Sequence, residues 1–193
     1  MRETLKPNSR SPKTFLYFLT FSLKMNFKHE GVSLLLMLLS VSFILILAWL
    51  LSSFNVKTTG VFQRMEIAKI KIVNDEGQVL ELEVKVADEP DEWTAGFQNI
   101  SRSIIEKTLI LFVFPSEINA FFHMRNVEAS LDIAFIKADG RIIEVIRMDP
   151  DTNRLYVPNE SFKYAIEAPL GFFKSKKITA GKSRLIVGSI PGN

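Results

Sequence analysis

The side chains best suited to chemistry lie in one short stretch, FFHMRN at 121–126 followed by SLD at 130–132. His123 can take up or release a proton near neutral pH, and on a strand it would share a face with Arg125. Asp132 lies inside the apolar run LDIAFI, where a carboxylate is costly to bury unless it is paired. We therefore expect Asp132 to pair with Arg125.

Two interpretations of these polar residues stay open. In the first, they form a structural network that fixes a loop. In the second, they line a ligand-binding site, or a catalytic site with Asp132 or His123 as general base and a neighbouring amide or guanidinium orienting a polar substrate. A further acid in an apolar run, Glu167 in YAIEAPLG, raises the same question. The candidate site residues are Phe122, His123, Arg125, Asn126, Asp132 and Glu167.

The composition excludes several other kinds of site. The chain contains no cysteine, which excludes a disulfide framework, a thiol nucleophile and a Cys-ligated zinc or iron–sulfur centre. Its two histidines, His29 and His123, are too few for a multi-His metal centre. No glycine-rich phosphate loop, His-Glu-x-x-His or Gly-x-Ser-x-Gly motif occurs. We expect no metal and no cofactor, so a site must use carboxylates, amides, arginine and aromatic rings.

The charge is distributed unevenly along the 193 residues. The whole chain has a formal net charge of +3 and an isoelectric point near 9.1. Residues 1–30 contain six basic and two acidic side chains, which leaves 18 basic and 19 acidic ones for residues 31–193. Binding to nucleic acid requires a concentrated basic face, which this nearly neutral segment does not offer. We therefore expect no nucleic-acid partner.

Residues 31–56 contain no charged side chain and consist mainly of Leu, Ile, Val, Phe and Met. About 20 residues of α-helix cross the hydrocarbon core of a bilayer, so this run predicts a transmembrane signal anchor. Its length and the lack of a small-x-small site favour an anchor over a cleaved signal peptide, which stays open as an alternative. The preceding basic residues predict a cytoplasmic tail at 1–30 and an extracytoplasmic domain at 57–193, with the lipid bilayer as a partner. A start at Met25 instead of Met1 also stays open.

The region after this run alternates between apolar and polar residues, as strands do. A helix is expected to begin with Asp88 as its N-cap and Pro90 in its first turn, and to end or kink at Gly96. Many short strands with one or two short helices predict an α+β fold, mostly antiparallel sheet and barrel-like. The predicted strands cover 61–73, 79–86, 109–114, 120–125, 131–136, 141–148, 162–168 and 183–190, with helical turns within 101–107 and 169–176.

Five blocks of this region stand in the order and spacing of a known family. Over residues 82–187, the chain resembles the family catalogued as domain of unknown function 192, or DUF192. His123 stands where the family pattern has tryptophan, and Arg125 stands where it has lysine. The five blocks are Ala87–Gln98, Leu109–Phe114, Phe122–Val127, Ser130–Ile136 and Ile166–Gly171.

The resemblance implies a fold and an exported location more than an activity, because the family has no established one. We expect a membrane-anchored extracytoplasmic domain that binds a small molecule or a protein partner. The alternative is an extracytoplasmic, hydrolase-like enzyme that uses Asp132 or His123 together with Arg125 and Asn126. Convergence of His123, Asp132 and Glu167 in one open cleft would favour the enzyme.

Overall fold

The computed structural model describes residues 30–52, 56–150 and 153–191. The predicted cytoplasmic tail at 1–30 therefore lies, apart from Glu30, outside the described residues. The chain divides into two compact units, residues 1–55 and residues 56–193.

The described part of the first unit is one helix, α1, from Glu30 to Ser52, which is 23 residues long. Leucine is frequent in it, and leucine loses little side-chain freedom in a helix. Side chains are described for residues 34–49 of α1, and these are exposed. Counting the described residues only, no helix of the chain reaches the length and apolarity needed to cross a membrane.

The second unit consists mainly of strands, with short helices between them. The strands are β1 (Glu66–Val73), β2 (Val79–Ala87), β3 (Ile110–Ile118), β4 (Phe122–His123), β5 (Leu131–Ile136), β6 (Ile142–Met148), β7 (Leu155–Tyr156), β8 (Phe162–Pro169) and β9 (Arg184–Leu185). The helices are α2 (Gly60–Arg64), α3 (Pro90–Ala95), α4 (Arg102–Ile105) and α5 (Phe172–Ser175), followed by a 3-10 turn at Val187–Ser189. These elements confirm the predicted α+β class.

The main sheet is nearly closed into a barrel. Its seven strands follow the order β6-β5-β8-β3-β2-β1-β9, while β4 and β7 form a separate pair. Only β2 and β3 run parallel among the paired strands of the described chain, because the segment with α3 and α4 crosses between them. The two edges meet where the Leu185 N–H donates to the Gly140 carbonyl at 2.8 Å and the Ile142 N–H donates to the Ser183 carbonyl at 3.3 Å. These bonds support the predicted barrel-like form.

The first hairpin follows the predicted alternation. β1 and β2 pair antiparallel over their whole length, and Ile70 and Ile72 are buried while Lys69 is exposed. The beginning of the predicted strand 61–73 is instead the helix α2. Thr59 starts this helix, because its hydroxyl oxygen accepts a hydrogen bond from the Phe62 N–H at 3.2 Å.

Three further boundaries differ from the prediction. The N-cap of α3 is Glu89 and not Asp88, although Gly96 ends the helix as expected. The predicted strand at 120–125 is reduced to the two residues of β4, since Asn126 takes a positive φ of 58° and turns the chain. The predicted strand at 183–190 is reduced to β9 and continues as the 3-10 turn.

Both faces of the sheet are covered, and each face carries its own core. Every residue of β5 is buried, which explains the uninterrupted apolar run in its sequence. Ile133 and Phe135 belong to the first core, together with Phe112 of β3. Ala134 and Ile136, which point the other way, belong to the second core.

Candidate functional site

A pocket of about 520 Å³ opens on the face of the sheet that carries the first core. It is lined by α3 and the residues directly after it, by β3, by the segment 120–123 and by β8. Much of its wall is aromatic. The rings are those of Trp93, Phe97, Phe112, Phe114, Phe121 and Phe122.

The indole of Trp93 is held in place by hydrogen bonds to its nitrogen and by packing of its ring. Its Nε1–H group lies within hydrogen-bond distance of the Ala87 carbonyl, at 3.0 Å, and the Val113 carbonyl, at 3.2 Å. Its ring packs against Phe114 with 5.1 Å between ring centroids. Trp93 therefore ties α3 to the end of β2 and to the interior of β3, and gives the pocket a fixed wall.

Local sequence sets where α3 begins and ends. The Glu92 carboxylate accepts hydrogen bonds from the backbone N–H groups of Asp88, at 3.1 Å, and Glu89, at 3.4 Å. Gly96 takes φ +44° and ends the helix, so that Phe97 turns into the first core, where it is 1% exposed. The turn also brings the Gly96 backbone against the pocket.

Glu167 of β8 is the buried acid of this pocket. It is 5% exposed, and its Oε2 atom has no hydrogen-bond partner among the described residues. A Cβ atom added to Gly96 would lie 3.5 Å from this oxygen, an ordinary van der Waals contact, so Gly96 borders the carboxyl. Burial raises the pKa of Glu167 to about 8. The carboxyl is therefore mostly protonated at neutral pH and can both donate and accept a hydrogen bond.

His123 lies on the wall of the same pocket. It belongs to β4 and pairs with Leu155 of β7. Its Nδ1 atom is buried and has no hydrogen-bond partner among the described residues. Burial, and the nearby charge of Arg125, lower the pKa of His123 below its ordinary value. The imidazole is therefore neutral at neutral pH.

These two atoms form a pattern. Within the described chain, Glu167 Oε2 and His123 Nδ1 are the buried side-chain nitrogen and oxygen atoms that lack a hydrogen-bond partner. Both residues line the aromatic pocket described above. Buried polar groups in folded proteins are almost always satisfied, so two exceptions at one pocket indicate a site that a ligand or water completes.

Asp132 lies on the opposite face of the sheet from Glu167. It neighbours Ile133 in β5, and Ile133 is the direct register partner of Glu167 in β8. Because successive side chains of a strand point to opposite faces, Asp132 shares its face with Ala134 and the second core. The structure thus does not bring Asp132 to the pocket.

The expected pairing of Asp132 with Arg125 is wrong. The Asp132 Oδ2 atom accepts a 2.7 Å hydrogen bond from the Gly171 N–H, and the register of β5 and β6 sets Arg147 opposite Asp132. Burial raises the pKa of Asp132, against the lowering effects of the Gly171 N–H and the Arg147 charge. The pairing of strands far apart in sequence, and not nearness along the chain, decides these partners.

Arg125 and Asn126 occupy an exposed turn after β4 and do not line the pocket. Asn126 takes a positive φ, and its backbone carbonyl accepts a 2.8 Å hydrogen bond from the Asn99 N–H. Of the six predicted site residues, the structure therefore gathers Phe122, His123 and Glu167 at one pocket.

Sequence reasoning missed the wall of the pocket. The spacing of four between Trp93 and Phe97, and the apolar strand that contains Phe112 and Phe114, predict core positions for these rings. The structure confirms this prediction, since three of the rings belong to the first core and Trp93 packs against it, but the same rings also line the pocket. No group of three or more Asp, Glu or His side chains that could hold a metal ion occurs among the described residues.

Comparisons with known proteins place this fold in a family. A family model for DUF192, described as "Uncharacterized ACR", matches residues 71–185. A UPF0127 protein of Pyrococcus abyssi is 29% identical over 111 residues, which cover 57% of this chain and 92% of that protein. A UPF0127 protein of Thermococcus sibiricus is 31% identical over 97 residues, which cover 49% of this chain and 60% of that protein.

Two crystal structures share the fold. One, from Sinorhizobium meliloti and described as a proposed transcription regulator, aligns with a TM-score of 0.60 and 21% identity over 65% of this chain and 97% of that chain. The other, a protein of unknown function from Novosphingobium aromaticivorans, aligns with a TM-score of 0.58 and 16% identity over 68% of this chain and 93% of that chain. With the family model matching more than half of the sequence, the chain belongs to the DUF192 family.

Proposed function

We propose that the second unit is a ligand-binding module whose site is the aromatic pocket beside α3. The observation that carries this proposal is that two residues of its wall, Glu167 and His123, each hold a buried atom without a hydrogen-bond partner, Oε2 and Nδ1. A ligand with an apolar body and a polar group would satisfy these atoms while it covers the rings. The pocket volume of about 520 Å³ lies within the range usual for small-molecule sites.

Occupancy of the pocket can be tested by blocking it. Ala120 lines the pocket, and Ala120→Phe would fill part of it. The matched control is Ala138→Phe, because Ala138 is exposed in the turn between β5 and β6. A fragment library is screened by ligand-observed NMR on the full-length protein in mild detergent. We expect hits that bind the wild type and the control and lose binding in the blocked variant. Hits that bind all three proteins equally would count against the site.

The enzyme alternative built on Asp132 with His123 receives no support from the geometry. Asp132 is committed to the Gly171 N–H on the other face of the sheet. Binding therefore remains the better-supported function.

We also propose that residues 31–56 anchor the protein in a membrane and that residues 57–193 lie outside the cytoplasm. The absence of charge from this run and the excess of basic residues before it support the proposal. In cells that express the full chain, the protein should stay in the membrane fraction after alkaline carbonate extraction. External protease should then digest the C-terminal domain in spheroplasts. Release by carbonate would contradict the anchor, and full protection from protease would contradict the orientation.

A further inference from the structure

The walls of the pocket carry one carboxylic acid, one histidine and no permanently charged basic side chain. Among the described residues that line it, Glu167 and His123 are the titratable ones, and neither lysine nor arginine is present. Arg125, the nearest arginine along the chain to this wall, is exposed in the following turn. An anionic ligand would thus find no lysine or arginine on the pocket wall and would face the Glu167 carboxyl, which favours a neutral or positively charged ligand.

The aromatic rings distinguish between these two possibilities. Phe112 and Phe122 stand edge to face, with centroids 5.1 Å apart and planes 86° apart, and Trp93 lies on the same wall. The faces of such rings are electron-rich and attract a cation once water is displaced. An unpaired carboxyl among aromatic faces is the arrangement that complements an ammonium group with an apolar body.

We propose that the pocket binds an organic ammonium ion, whose charge lies between the Glu167 carboxylate and the aromatic wall. This inference rests on the proposed ligand-binding function and specifies its ligand class. Carbon-bound hydrogens of the cation would contact the partly exposed rings of Trp93 and Phe122, and its charge would supply the partner that Glu167 Oε2 lacks.

Binding of this cation requires the acid to ionise. The neighbours of Glu167 are apolar: its register partners are Ile110 and Ile133, and the backbone at Gly96 and the Phe112 ring lie close to the carboxyl. His123 is the other titratable group that faces the pocket, and burial lowers its pKa, which favours the neutral imidazole. A cation that enters at neutral pH therefore displaces a proton from Glu167, and its affinity should increase with pH.

The experiment compares cations with neutral molecules of the same shape. The two pairs are choline with 3,3-dimethylbutan-1-ol, and benzylammonium with benzyl alcohol. Dissociation constants are measured by isothermal titration calorimetry on the full-length protein at pH 8. We expect at least one cation to bind about tenfold or more tightly than its neutral partner. In Glu167→Gln this preference should fall to about one, with the neutral affinity changed less than about threefold.

Glu83→Gln provides the matched control, because Glu83 is exposed on the outer face of β2. This variant should keep the preference for the cation. Equal affinity of cation and neutral partner in the wild type would overturn the cation inference while the ligand-binding function stands. Failure of all four compounds to bind would overturn the cation inference, and the fragment screen described above decides the binding function separately.

A second measurement does not depend on the folding of a variant. Choline keeps its charge at all pH values, so only the protein titrates. Because Glu167 has a pKa of about 8, choline affinity should increase about tenfold from pH 6 to pH 7 and level off above pH 8. The affinity for 3,3-dimethylbutan-1-ol should change little. A choline affinity that is flat over this range would overturn the inference.

Discussion

The carboxylate of Asp132 in β5 accepts a 2.7 Å hydrogen bond from the backbone N–H of Gly171. Gly171 takes φ +83° directly after β8 and begins the helix α5. The bond joins the end of β8 to its neighbour at the point where the chain leaves the sheet. This bond gives Asp132 a structural contact, but not within the network of neighbouring polar residues that the first interpretation predicts.

Loss of this bond should reduce stability. Asp132→Ala leaves the Gly171 N–H without its partner, and we expect the free energy of unfolding to fall by about 1–3 kcal/mol. Asp132→Asn keeps an acceptor oxygen and should cost less. Denaturant unfolding, followed by Trp93 fluorescence in a Trp49→Phe background, measures both. Asp88→Ala, at an exposed acid, should change stability by less than about 0.5 kcal/mol. A similar loss in Asp88→Ala and Asp132→Ala would contradict the role of the bond.

The buried acid of the pocket should make stability fall as the pH rises. Glu167 has a pKa of about 8 in the folded protein and an ordinary value of 4.5. Between these values the unfolded chain releases the proton that the folded protein retains, so rising pH favours the unfolded state. From pH 6.5 to pH 8, we expect the free energy of unfolding to decrease by about 2 kcal/mol.

Glu167→Gln removes this titration. Its free energy of unfolding should stay nearly constant over the same range and exceed that of the wild type at pH 8. In Glu83→Gln the free energy of unfolding should decrease with pH as it does in the wild type. If the free energy of unfolding of Glu167→Gln still decreases with pH, another group is responsible for the pH dependence.

The closure of the barrel depends on a glycine. A Cβ atom on Gly140 would lie 2.1 Å from the carbonyl oxygen of Leu185, whereas a Cβ atom on Gly77 would meet no atom within 4 Å. Both glycines have a positive φ, so each alanine substitution carries a similar backbone strain of about 1–2 kcal/mol. Gly140→Ala should cost about 1–3 kcal/mol more than Gly77→Ala, because the contact with Leu185 must break or shift. Thermal and denaturant unfolding of the two variants test this difference, and equal losses would argue against a tight closure.

Removal of the second unpartnered atom should not harm the fold. His123→Phe replaces the imidazole with an apolar ring. It therefore removes the buried Nδ1 atom, which has no hydrogen-bond partner among the described residues. We expect stability at pH 7 to change between zero and a gain of about 1 kcal/mol. Burial lowers the pKa of His123 in the folded protein, so as the pH falls the imidazole is protonated in the unfolded chain before it is protonated in the folded one. The free energy of unfolding of the wild type should therefore decrease at acidic pH. The variant should lose less between pH 6.5 and pH 5, as measured by unfolding at each pH. A clear loss of stability at pH 7 would indicate a partner for Nδ1.

Much of the fold could be predicted from local sequence. The alternation in β2, the turn at Asp139 and Gly140 and the uninterrupted apolar run of β5 identify their elements, because each pattern reflects a period or a turn geometry of the backbone. The end of β4 was harder to predict. Asn126 adopts a positive φ there, and its carbonyl bonds to Asn99 in a distant loop.

The sequence by itself determined that Asp132 and Glu167 lie on buried strands, since each acid interrupts an apolar run. Only the tertiary structure decided that they lie on opposite faces, with one acid bonded to Gly171 and the other left unpartnered in an aromatic pocket. The face that a side chain occupies depends on strand register, and the register of β5 with β8 joins Ile133 to Glu167. Hydrogen bonds and packing between distant segments set that register, and no local pattern encodes it.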